Sequence, residues 1–233
     1  MRIIMKKSIG MCMVVAGMVA VSQAQEYGML QPVEKESGIY AGARVVFLNL
    51  KLTHKGDWTD EDWGAGTFEQ GSNEGEFTKN IPGYAIALGY KFSHYLRFEA
   101  EGSGARMSLA DNFGKSNLDF LMLKGLCYVD IPLEDMPMTP YVVLGLGYVQ
   151  HKQNDYWFGS PITMHGLSLD IGLGASYSVA ENLAIDAQCR FMTARFGSIY
   201  NIDDYRIGLG YFDEIMHRSM NAYLVSLGAR YIF

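Results

Sequence analysis

His165 and Ser168 are the residues nearest in kind to a general base and a nucleophile. A hydroxyl attacks well only when a base within hydrogen-bond reach takes its proton. Their odd separation puts the two side chains on opposite faces of an extended strand, and no outward carboxylate stands ready to orient the histidine. His54, His94, His151 and His217 fall in turns or polar connections. No nucleophile elbow, metal-ligand spacing or phosphate-binding loop is present. The sequence therefore predicts no enzyme, no cofactor and no metal. Cys127 and Cys189 fall on non-adjacent apolar segments, so they predict neither zinc nor a disulfide. They read as small apolar surface residues.

Two charged groups remain. Asp57, Trp58, Asp60, Glu61, Asp62 and Trp63 crowd one polar stretch, followed by Glu69, Glu74 and Glu76. Carboxylates set among tryptophans can take a divalent cation or a basic partner. The plainer reading is a solvated acidic loop that limits self-association. The second group is spread along the chain: six cations (Arg44, Lys91, Arg97, Lys124, Arg190, Arg230) and five anions (Glu99, Glu101, Asp130, Asp170, Asp186). Such near balance points to mutual neutralisation, whereas an ion-selective pore would show one dominant sign. Distance from the nearest turn pairs Asp170 with Arg190, Asp186 with Arg230 and Glu101 with Lys124.

What positions these charges is strict alternation. Period-two segments run over 39–50, 84–92, 95–104, 118–131, 141–150, 167–178, 183–195 and 219–233. Each is close to the roughly 9–11 residues a tilted strand needs to cross a bilayer. The charges share one parity. The other parity is apolar, as in Ile86, Leu88, Tyr90 and Phe92 or Leu167, Leu169, Ile171 and Leu173. A soluble sheet would hide the apolar set and wet the charged one. Here the apolar set meets lipid, where an Arg or Lys at the midplane costs about 2–4 kcal/mol. Hydrocarbon cannot satisfy an open sheet edge, so the strands must close into a barrel. Arg106, Asp119 and Arg195 break parity at strand ends, where the plainer reading is interfacial snorkelling; the sharper one is that Arg106 and Arg195 meet lipopolysaccharide phosphates at the outer rim.

The fold expected is thus all-β, an eight-stranded antiparallel up-and-down transmembrane barrel. Connections alternate between short (93–94, 179–182) and long (51–83, 151–166, 196–218), the pattern of an outer-membrane barrel with short periplasmic turns. An even strand number puts both termini in the periplasm and the long loops outside the cell. Arg2, Lys6 and Lys7, the apolar run from Ile9 to Val21, and Ser22-Gln23-Ala24 read as a cleavable secretory signal over 1–24. Residues 25–37 form a periplasmic lead-in and 38–233 the barrel. The net charge of -6 argues against a nucleic-acid partner.

Several stretches carry a resemblance. They are 39–45 (IYAGARV), 89–92 (GYKF) with 98–100 (FEA), 140–148 (PYVVLGLGY), 182–186 (NLAID) with Arg190-Phe191, and 227–233 (LGARYIF). Together they resemble the small outer-membrane barrels that include the OmpA transmembrane domain and the opacity-type porins. The resemblance implies residence in the outer membrane, contact with its lipid and lipopolysaccharide, and an assembly signal at Tyr231 and Phe233 read by the barrel-assembly machinery. The full-length OmpA proteins add a peptidoglycan-binding domain after the barrel; this chain stops at Phe233, so no cell-wall tether is expected. An eight-stranded barrel is filled by its own side chains. The expected role is therefore structural, serving envelope integrity or surface interaction through the outer loops. A narrow or gated channel for small solutes or ions is the alternative.

Overall fold

Alternation of apolar and polar residues is realised as nine strands, and every described element is a strand. The computed structural model describes residues 37–62, 66–111, 114–133, 138–154, 162–206 and 210–233. The strands are β1 (Gly38–Asp62), β2 (Thr67–Lys91), β3 (Leu96–Asp111), β4 (Gly114–Asp130), β5 (Met138–Asn154), β6 (Ile162–Ala180), β7 (Leu183–Phe196), β8 (Ile199–Arg206) and β9 (Gly210–Ile232). All pairs are antiparallel neighbours, and β1 closes on β9. Among the described residues β8 pairs only with β9, so the ring itself has eight strands. The signal segment expected over 1–24 lies outside the described residues.

The long connections differ from the loops expected of them. β1 and β2 stay paired without a break from Gly38↔Lys91 to Asp62↔Thr67. β9 follows β1 as far as Asp62↔Gly210. Polar, weakly alternating sequence looks like loop when read alone. Here it extends ladders that the ring has already set in register. His54, His151 and His217 accordingly lie on strands. The β2–β3 ladder ends at Gly83↔Ala105. Pro82, which has no N–H to donate, is the first residue beyond it, a position proline tolerates at a sheet edge. From there to Thr67, β2 pairs with β1 alone among the described residues.

Burial follows parity. β7 alternates along its whole length. The outward face is a band of exposed apolar side chains, with Leu88 at 60%, Leu146 at 66% and Leu167 at 76% exposure. All eleven alternating charges are buried inside the ring. Cys127 and Cys189 are half-buried free thiols. The band runs from Leu121 to Ile131 on β4 and from Val142 to Tyr148 on β5. At its short-turn end an aromatic belt forms, with Tyr90 on Phe92 (4.6 Å), Phe92 on Phe98 (5.5 Å) and Tyr231 on Phe233 (5.3 Å). A girdle of aromatic rings suits a lipid–water boundary.

Depth along the band sets the cost of a charge. Ile171→Arg, near the middle of β6, is expected to cost about 2–4 kcal/mol in urea titrations of vesicle-embedded protein. Gln150→Arg, just beyond the band on β5, is expected to cost about 0–1 kcal/mol. Equal costs would mean that this surface does not meet hydrocarbon.

Candidate functional site

The inward faces carry two layers, and β1, β4, β7 and β9 each show both. On β1, Arg44 is followed by Val46, Leu48, Leu50 and Leu52; on β7, Asp186 and Arg190 are followed by Met192, Ala194 and Phe196. On β4 and β9, which run the other way, the order reverses: Met122 comes before Lys124, and Leu224 before Arg230. The ionised residues therefore occupy the short-turn half of the lumen, beside a small cluster of Leu126, Tyr128, Tyr141 and Val143, and the larger apolar cluster fills the long-hairpin half.

Glu99 anchors the ionic layer. Arg44 grips it with both terminal nitrogens, Nη1 to Oε1 at 2.5 Å and Nη2 to Oε2 at 2.7 Å. The hydroxyls of Tyr40 and Tyr128 donate to the same carboxylate at 3.2 and 3.1 Å. Arg44 also reaches Glu101 at 3.1 Å, and Arg190 donates to both oxygens of Glu101 at 2.8 and 3.0 Å. Nearer the short turns, Arg97 donates to Asp130 at 3.1 Å and stands 3.7 Å from Asp186, which is 3.9 Å from Arg230. The Arg97 guanidinium lies against the rings of Tyr128 (4.1 Å) and Tyr141 (4.5 Å). Arg230 also donates to Ser176 at 2.9 Å. Lys91 is buried on the same face.

Two of the three pairings expected from the sequence are exchanged. Lys124 binds Asp170 at 2.8 Å, and Arg190 binds Glu101 across the lumen. Only Asp186 and Arg230 face each other as expected, at 3.9 Å. The reason lies on β5, between Lys124 and Asp170. Gly147 pairs with both Lys124 and Ser168. A Cβ there would stand 2.7 Å from Lys124 Cγ and 2.8 Å from Ser168 Oγ. The side-chain-free position lets Lys124 pass across β5 to β6. Its Nζ also donates to Met192 Sδ at 3.0 Å, where the two layers meet.

The apolar layer escaped the sequence reading, although the same parity continued beyond the charges contains it. Val46, Leu48, Met107, Phe120, Met164 and Met220 belong to one contiguous buried cluster. His151 lies in it, fully buried, with its ring stacked on Phe120 at 4.8 Å. His151 stands just beyond the lipid-facing band. Burial, and secondarily the charge of Arg218, pushes its pKa down to about 4.

Outside the ring, Arg106 is held by Asp119 at 2.6 and 3.2 Å. That hydrogen bond keeps the Asp119 carboxyl below its ordinary range. Arg195 is exposed on β7. His165 is exposed and hydrogen-bonded to the Tyr148 hydroxyl, while Ser168 is buried on the opposite face of β6, so this pair is not brought together. Asp57, Asp60 and Glu61 lie on β1 and are at least partly exposed. Trp58 covers its cross-strand partner Gly71, whose Cβ would stand 2.6 Å from the indole, and His54 covers Gly75 in the same way. Trp58 thus seals a glycine gap between strands. Asp62 ends β1, and Trp63 lies outside the described residues. Among the described residues no group of three His, Cys, Asp or Glu could hold a metal ion. Tyr231 and Phe233 are exposed on the outward face of the last residues.

Glu101→Gln removes the charge shared by Arg44 and Arg190, and is expected to cost about 3–5 kcal/mol by stranding a buried cation. Arg106→Gln, at an exposed pair, is expected to leave the unfolding midpoint unchanged. Chemical denaturation of both variants checks the contrast. His151 makes a pH prediction. Its folded pKa lies below the usual 6.5, so the unfolded chain takes the proton first as pH falls. Stability is full above about pH 6.5 and drops towards pH 4, by about 3 kcal/mol in total. In His151→Leu this part of the acid loss is expected to vanish; an unchanged pH profile would refute it.

A comparison with curated proteins finds no match. The model of the family described as "Outer membrane protein beta-barrel domain" matches residues 12–212. Among solved structures the chain is similar to Neisserial surface protein A, at 16% identity and a TM-score of 0.52, over 85% of this chain and all of that one. It is also similar to the outer membrane protein OprG from Pseudomonas aeruginosa, at 12% identity and a TM-score of 0.44, over 88% of this chain and all of that one. Ail from Yersinia pestis is similar at 15% identity and a TM-score of 0.40, over 85% of this chain and all of that one. The closed ring with an outward apolar band agrees with that match, and this chain belongs to the outer membrane protein beta-barrel domain family, integral to that membrane.

Proposed function

We propose that this protein is a non-conducting outer-membrane barrel that serves envelope integrity or surface interaction through the sheet beyond the bilayer. One observation carries the reading: the lumen holds two seals in series. An ion would have to part the buried pairs around Glu99, Glu101 and Asp170, then cross the Val46–Met107–Phe120–Met164 cluster. That cluster offers an ion almost nothing in place of its hydration shell, and desolvation of a bare charge is prohibitive. A non-catalytic role is supported by His165 and Ser168 facing opposite ways.

The long hairpins lie outside the cell and both termini in the periplasm. Residues 1–24 are removed as a secretory signal, 25–37 lead into the barrel, and Tyr231 and Phe233 serve the barrel-assembly machinery. The surface role is supported by the shape of β2. From Thr67 to Pro82 it is an edge strand, with Glu69, Glu74 and Glu76 exposed along it. Unpaired backbone groups on such an edge can accept another extended segment. The acidic side chains would favour a basic one. The alternative, a narrow or gated channel, is favoured by one observation. Buried Ser103, Ser168, Ser226 and Gln188 side chains have no hydrogen-bonding protein partner, and such groups accommodate water. They lie on the ionic side or at its border, and the apolar cluster continues beyond them.

Refolded protein in planar bilayers is expected to give no stable single-channel steps. In cells that display it, deleting 57–76 is expected to lower surface adhesion while the folded barrel keeps its heat-dependent gel shift. Sustained ion-selective conductance would sink the sealed lumen. Unaltered adhesion would sink the surface role.

A further inference from the structure

The lipid-facing surface of β5, β6 and β7 carries a groove of about 810 Å³ at the long-hairpin margin of the apolar band. Its lower part is greasy, lined by Leu146, Leu167 and Leu169; its upper part brings together Tyr148, His165 and Arg195. We propose that this groove binds a phosphorylated glycolipid of the outer leaflet, with the phosphate held between Arg195 and His165 and an acyl chain lying along Leu146, Leu167 and Leu169.

Three observations converge on that ligand. First, Arg195 is an outward cation with no counter-ion among the described residues. Its cross-strand neighbours are Leu167 on β6 and Ser219 on β9. Three other outward cations beyond the band are paired: Lys51 with Glu76 at 2.6 Å, Lys55 with Glu74 at 3.2 Å, and Arg106 with Asp119. A bare guanidinium beside hydrocarbon is best satisfied by an anion that arrives with the lipid. This separates Arg195 from Arg106, the other cation expected at lipid phosphates.

Second, His165 is pre-oriented. Its ring stacks on Tyr148 with centroids 5.7 Å apart, and the Tyr148 hydroxyl bonds its Nδ1. With that hydroxyl as donor, Nε2 carries the proton and is the nitrogen left to donate. Opposite His165, just past the end of β7, lies Gly197, whose amide donates to the His165 carbonyl at 3.0 Å. A Cβ on Gly197 would meet nothing closer than that carbonyl oxygen at 3.9 Å. No side chain projects from Gly197 to crowd His165 on the side towards Arg195.

Third, the polar surface continues sideways in neutral groups. Thr193 precedes Arg195 on the same face, and Ser219 and Asn221 stand opposite them on β9, all half-buried. Hydroxyls and an amide beside a cation suit a phosphorylated sugar better than the headgroup of a simple glycerophospholipid. The proposal rests on the long hairpins facing outward, as proposed above, but not on whether the lumen conducts.

The test uses the refolded mature protein in detergent, with bound lipid counted by native mass spectrometry and folding checked by gel shift. The probes are lipid A, lipid A stripped of its phosphates, and phosphatidylglycerol. Wild type and Arg106→Gln are expected to retain lipid A. Arg195→Gln/His165→Ala is expected to bind it at least ten-fold more weakly. Wild type is expected to bind the dephosphorylated form with a similar deficit, a comparison that needs no variant to fold. Equal retention of the dephosphorylated form, undiminished lipid A on the double variant, a loss shared by Arg106→Gln, or equal competition by phosphatidylglycerol would each overturn the site. None of these readouts reports conductance or adhesion.

Discussion

A peptide group in hydrocarbon has no water to bond, and the rest of this structure depends on that fact. An eight-membered ring in which β1 meets β9 leaves no edge inside the bilayer. Closure fixes register, and register fixes which side chains point inward. Beyond the bilayer water returns, and the rule lapses where Pro82 ends the partnership between β2 and β3. The same chain is therefore edgeless in one solvent and open-edged in the other.

Closure also makes the interior narrow, so side chains that enter it must meet. The most enclosed charges inside are gripped from more than one side. Glu99 takes a bidentate arginine and two phenols, and Arg97 a carboxylate and two aromatic faces. Such density comes from the absence of side chains elsewhere, as Gly147 shows for Lys124. The division into an ionic half and an apolar half separates two ways of excluding ions: one by occupying every charge, the other by offering none.

Fold class, parity and the identity of the buried charges were legible because alternation is local and carries its own solvent signal. Partner choice was not. Glu101 and Lys124 stand directly opposite in register, yet each bonds elsewhere, because a partner across the ring is as near as one on the next strand. That proximity depends on ring diameter and on glycines two strands away. The extent of β1 and β2 was hidden for a different reason. Residues 51–62 and 67–82 have the composition of a loop, and their pairing is inherited from the ladder below. The bond between Tyr148 and His165 joins residues whose strands each looked ordinary alone.

The unbroken ladder of β1 from Gly38 to Asp62 makes the projecting hairpin a stiff mast rooted in the ring wall. A pull at its tip runs along the strands and loads many hydrogen bonds in shear together. A tethered loop would instead hand tension to the membrane one bond at a time. Whatever fastens to that tip is thus coupled mechanically to the whole ring, and drag on the cell surface is borne by the barrel rather than by a flexible leash.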